Sequence, residues 1–78
     1  MDVAAKIERA RALLAQGELK KAAYELTDAA SATRDTDAAR EIRQLADQGM
    51  ALAGRFSKGQ WKEVQRLADL RIDSASVR

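Results

Sequence analysis

From Ala38 to Phe56 the apolar residues return at the spacing of an α-helix, and this stretch constrains everything around it. Ile42, Leu45, Ala46, Gly49, Ala53 and Phe56 fall in one stripe by the i, i+3, i+4, i+7 rule. Met50 flanks the stripe on one side and Leu52 on the other, while Arg40, Arg43, Gln44, Asp47, Gln48 and Arg55 fill the remainder. At a rotation of ~100° per residue the apolar arc is about 160° wide. One neighbour cannot cover so broad a face. The sequence therefore predicts the longest helix of the chain here, lying between two others.

The flanking segments supply those neighbours. Asp2 is placed to cap a first helix whose buried face is Val3, Ile7, Ala10 and Leu14, with Leu13 at its edge. Gln16-Gly17 ends it, since glycine takes the left-handed C-terminal position at low cost. Glu18 restarts the chain almost at once, and Leu19, Ala22, Ala23, Leu26, Ala29 and Ala30 form a second stripe. So short a connection makes antiparallel neighbours. Ser31 to Asp37 is polar and rich in capping residues, which favours a break, with Thr36 or Asp35 capping the third helix. Ser57-Lys58-Gly59-Gln60 has the form of a capping box for a fourth helix, with Trp61, Val64, Ala68 and Ile72 on one face and Leu67 beside them.

The expected helices are 2–16, 18–32, 37–55 and 58–72, within a single helical domain over 1–73. Residues 74–78 read as a fraying tail. The chain has no proline and is rich in strong helix formers. The fold class is all-α: four antiparallel helices as two helical hairpins, either a small bundle or a solenoid-like pair. In a chain of 78 residues such a domain buries only about 60% of its unfolded surface, so Trp61 is expected to be the largest single contributor to the core.

Composition narrows the function classes. With no cysteine and no histidine, thiolate chemistry, zinc–sulfur sites and the usual neutral-pH general base are excluded. Asp35 and Asp37 lack the further oxygen ligands of a calcium loop and read as caps. Every other acid falls on a polar face, so no catalytic pair, metal or cofactor is expected and the chain reads as a non-enzyme. Fourteen basic residues against twelve acidic leave a net charge of +2, too little for a nucleic-acid footprint. No apolar run is long enough for a membrane span, and Met1-Asp2 opens directly into an amphipathic pattern, so a cytoplasmic protein with no membrane partner is expected.

Two hairpins in series raise the question of a repeat. After Gly17 come Leu19, then Ala22 at the fifth position, Leu26 at the ninth and Ala29 at the twelfth; the same offsets after Gly59 give Trp61, Val64, Ala68 and then Arg71, so the last position fails. In this spacing the first hairpin resembles the tetratricopeptide repeat, with Ala10 where that family prefers glycine. Lys6 and Leu13 replace its large aromatics, and the two glycines are 42 residues apart (59 minus 17) against a family period of ~34. The resemblance implies a scaffold that binds peptides or proteins. The asparagine clamp by which some members hold a C-terminal carboxylate does not carry over, because the chain has no asparagine.

Two groups of residues stand outside the predicted core. Tyr24 and Leu70 fall away from the apolar faces of the second and fourth helices and are candidate partner-binding positions. Lys58, Lys62 and Arg66 recur at i, i+4 and i+8 and form a candidate anion-binding ridge, diluted by Glu63, Asp69 and Asp73. The expected function is a non-enzymatic helical protein–protein interaction module, an adaptor or a self-associating domain, whose partner is another protein or itself as a homodimer. The alternative is a nucleic-acid-associated helical protein using the ridge on the fourth helix.

Overall fold

The computed structural model describes residues 2–55 and 57–76, with Ala75 and Ser76 described by backbone alone. Four helices follow in order: α1 (Val3–Ala15), α2 (Leu19–Ala32), α3 (Thr36–Leu52) and α4 (Lys58–Ser76). Their starts and stops are local chemistry. The Asp2 carboxylate caps α1 by accepting from the Ala5 N–H at 3.3 Å. Gly17, at φ +79°, ends α1 by letting Glu18 N–H reach back to the Leu13 carbonyl at 2.9 Å and Gly17 N–H to Leu14 at 3.1 Å, the paired closure of a Schellman motif. Asp35 caps α3 by accepting from the Asp37 N–H at 3.1 Å.

Two boundaries differ from the sequence expectation. The third helix stops at Leu52, not near residue 55, because Ala53 turns extended at ψ 140°. Ala53 nevertheless stays buried, so the apolar pattern runs on past the end of the helix that it was read from. Phe56, the last member of that stripe, lies outside the described residues. The fourth helix continues to Ser76 instead of stopping at residue 72 and, at 19 residues, is longer than the 17 of α3. Ala75 is a strong helix former, Asp73 and Ser74 are tolerated in a helix at a small cost, and no glycine or proline follows Gly59 to stop it. The longest helix is α4.

The helices pair as two antiparallel hairpins. Lys6 on α1 faces Glu25 at 3.4 Å and Asp28 at 3.6 Å on α2, while Arg43 on α3 meets Asp69 at 2.9 Å and Asp47 on α3 accepts from Gln65 at 2.9 Å. Both α2 and α3 pack against all three other helices, whereas α1 and α4 do not touch. A closed bundle would bring the first and last helices together. The hairpins therefore stack side by side, and the molecule is flat, 37 × 24 × 15 Å.

What allows such a thin stack is the size of the buried residues. Among the described residues, eight of the fifteen in the core cluster are alanine: Ala10, Ala22, Ala23, Ala29, Ala30, Ala46, Ala53 and Ala68. Small side chains let helix axes approach closely, and one large ring fills the remaining depth. Trp61 is fully buried, and its ring lies flat on the backbone of Gly49, where an added Cβ would come within 2.4 Å of the ring carbons. Arg71 ties α4 to α2 by donating to the carbonyls of Ala30 at 3.0 Å and Ser31 at 2.8 Å, so it serves the last turn of α2 as a C-terminal cation would.

A test follows from the ring contact. Replacing glycine by alanine inside a helix ordinarily stabilises by about 1 kcal/mol, yet Gly49→Ala should destabilise by about 1–3 kcal/mol because the methyl collides with Trp61. Gly59→Ala, with open space around its Cβ, should leave stability unchanged or raise it by up to about 1 kcal/mol. Urea denaturation followed by circular dichroism measures both. In a Trp61→Leu background the Gly49→Ala penalty should shrink, the signature of a direct pair.

Candidate docking site

Because the hairpins stack in register, α1 and α3 run side by side and begin at the same end of the molecule. Between them lies a groove of about 630 Å³ whose apolar lining is Val3, Ala4, Ile7, Ala32 and Ala38. Its end is formed by the α2–α3 connection. There Thr33, buried although polar, accepts the Asp35 N–H on its hydroxyl at 3.1 Å, and so fixes the path of the chain past the groove. Four carboxylates line the groove, those of Glu8, Asp35, Asp37 and Glu41, against one guanidinium, that of Arg34. Arg11 pairs with Glu8 at 3.4 Å and with Glu41 from just beyond the groove, and Arg40 lies 3.8 Å from Asp37. Among the described residues Asp35 has no ion-pair partner. Its carboxylate is occupied only in capping α3.

Sequence periodicity did not point to this groove. In the sequence Val3 belongs to the inner face of the first helix, and Ala38 stands only at the start of the third-helix stretch. The groove exists because two helices far apart in sequence run in parallel, and nothing in either segment alone signals it.

The predicted partner-binding residues are exposed but apart. Tyr24 is 57% exposed and borders a small cleft of about 130 Å³ with Ala23, Thr27, Gln60 and Glu63. Leu70 is 48% exposed, next to the Arg71 that reaches the last turn of α2. Gln60 and Leu70 are ten residues apart on one helix (70 minus 60), which is about 15 Å along its axis. The two side chains do not form one patch. Leu52, only a flank of the third stripe in the sequence, is 61% exposed at the end of α3. Scattered exposed hydrophobics are ordinary on a protein surface.

The predicted ridge is partly dismantled. Arg66 donates to Glu63 through Nε at 2.9 Å and through a second, parallel bond. That bond holds the Glu63 carboxyl below its ordinary value of 4.5, with the charge of Arg66 adding to the effect, and raises the Arg66 guanidinium in return. Lys58 and Lys62 are exposed and, among the described residues, have no acidic partner. The ridge is two free lysines followed by a self-neutralising pair. Among the described residues no group of three potential metal ligands comes together, and no helix is long and apolar enough to cross a membrane. No family model, curated protein or solved structure matches the chain.

The Glu63–Arg66 pair has a definite pH signature. A lowered carboxyl pKa contributes stability that is present above the unfolded value and is lost as pH falls through the folded one. A carbon-detected NMR titration should place the Glu63 midpoint below 4.5. Arg66→Ala should move that midpoint upward without changing the helical circular dichroism.

Proposed function

We propose that this chain is a non-enzymatic helical interaction module that takes a segment of another protein into the groove between α1 and α3. The observation that carries the reading is the groove itself: an open apolar trough with an acid-weighted rim, bordered by two rigid parallel helices. An amphipathic helix seats its apolar face in such a trough by burying i, i+3, i+4 and i+7 anchors. The partner of fitting chemistry is a segment with apolar residues on one face and lysine or arginine beside them, because the rim carries more carboxylates than guanidinium groups. The side-by-side stacking of two hairpins and the spacing after Gly17 that resembles the tetratricopeptide repeat both support a scaffold role. Neither Tyr24 nor Leu70 lines this groove.

The test uses a fluorescently labelled sixteen-residue peptide of leucine and lysine at helical spacing and its leucine–glutamate counterpart. The lysine peptide should bind in the micromolar range and the glutamate peptide at least tenfold more weakly. Ala4→Arg and Ala38→Arg, which place a long cation in the trough, should weaken binding of the lysine peptide tenfold or more with the helical signal intact. Tyr24→Glu and Leu70→Glu should leave it unchanged. If those two variants, and not the groove variants, weaken association, the docking face lies on α2 and α4 instead.

A further inference from the structure

The stacking gathers a second set of residues at the opposite end of the molecule from the groove's entry turns. The α1–α2 and α3–α4 connections share that end, since Gly49 near the end of α3 lies under Trp61 in the first turn of α4 and Tyr24 near the start of α2 borders Gln60. Lys20 and Lys21 on α2, Arg55 in the connection, and Lys58 and Lys62 on α4 are all exposed there. Among the described residues none of the five has an acidic partner, although most other cations of the chain do. Of the carboxylates near these cations, Glu18 is exposed, Glu63 is taken by Arg66, Glu25 by Lys6 and Arg9 and Asp47 by Arg43. Because each Cα–Cβ bond tilts toward the start of its helix, the lysine side chains of α2 and α4 lean toward this end.

Among the described residues, two of the three exposed large apolar side chains belong to the same end: Leu52, 61% exposed at the last position of α3, and Tyr24, 57% exposed in the second turn of α2. We infer that this end of the molecule docks on an anionic lipid surface, with the five cations against the headgroups and Leu52 and Tyr24 entering the interfacial layer. Three features favour a bilayer over other polyanions. The cations are spread over the ends of several elements, so a plane meets them together where a single phosphate backbone would follow a track. Four of the five are lysine, which acts as a point charge without the bidentate geometry that arginine gives to specific phosphate contacts. An exposed leucine among them gains nothing from a nucleic-acid backbone but is buried by an acyl boundary, while a tyrosine suits the headgroup level. This departs from the expectation of no membrane partner, which rested on the lack of a spanning run; an interfacial contact requires none. It is also independent of the groove.

Co-sedimentation with vesicles tests it. The protein should pellet with vesicles of phosphatidylcholine and phosphatidylserine at seven to three and remain in solution with phosphatidylcholine alone. The bound fraction should collapse between 0.1 and 0.5 M salt, as screening requires. The triple variant Lys20→Glu, Lys21→Glu, Lys58→Glu should lower partitioning tenfold or more, and Leu52→Ser several-fold, each with unchanged circular dichroism. Absence of pelleting with the anionic vesicles overturns the inference. So does binding that Leu52→Ser leaves untouched and that a twenty-nucleotide single strand competes away completely, which would assign the surface to nucleic acid.

Discussion

The indole of Trp61 lying on the bare backbone of Gly49 is the contact on which the arrangement depends. A core made largely of alanine gives many close but shallow contacts, each contributing little apolar area. One large ring compensates, provided that the facing helix offers it a flat seat. Glycine in mid-helix supplies that seat at a propensity cost of about 1 kcal/mol, and burial of the ring offsets that cost. The indole N–H is buried without a hydrogen-bond partner among the described residues. The ring is seated by its shape and buried area against Gly49, and the position of α4 against α3 follows from how it fits.

How far the fold could be read ahead of the structure depends on whether the signal was local. Caps are local: Asp2, Asp35 and the Gln16-Gly17 stop are where side-chain chemistry puts them. The end of α3 was not legible, since Ala53 leaves the helix yet keeps its side chain buried, so periodicity overruns the true boundary. The extension of α4 is not legible for the converse reason: the polar residues after Ile72 suggest fraying, yet nothing interrupts the hydrogen-bond ladder. In the sequence Gly49 is one member of an apolar stripe, and its role as a seat for Trp61 emerges only with the partner helix in place. Of the site residues, the exposure of Tyr24 and Leu70 was legible from their angle on each helix. Their separation, the α1–α3 groove and the convergence of Lys20 and Lys21 with Lys58 and Lys62 are tertiary facts.

Electrostatics in this molecule are mostly internal. Acids and bases pair along and between helices, as in Arg43 with Asp47 and Asp69 or Lys6 with Glu25 and Asp28. Exposed pairs of this kind contribute about 0–1 kcal/mol each, so they do little for stability. Their larger effect is to remove those charges from the outside field. What an approaching partner meets is the residue left over: the Asp35 carboxylate at the end of the groove and unpaired lysines at the other end of the molecule. A net charge of +2 conceals that division.

The lack of contact between α1 and α4 has a consequence for how the molecule opens. The two outer helices are coupled only through α2 and α3, each of which packs against every other helix. Fraying of α1 leaves the Trp61 contact intact, and loosening of the far end of α4 leaves the α1–α2 ion pairs intact. Opening α2 or α3, by contrast, removes support from every other helix. Local opening is therefore graded across the sheet of helices, with amide protons of the two inner helices exchanging last and those of the outer pair exchanging through separate, independent events.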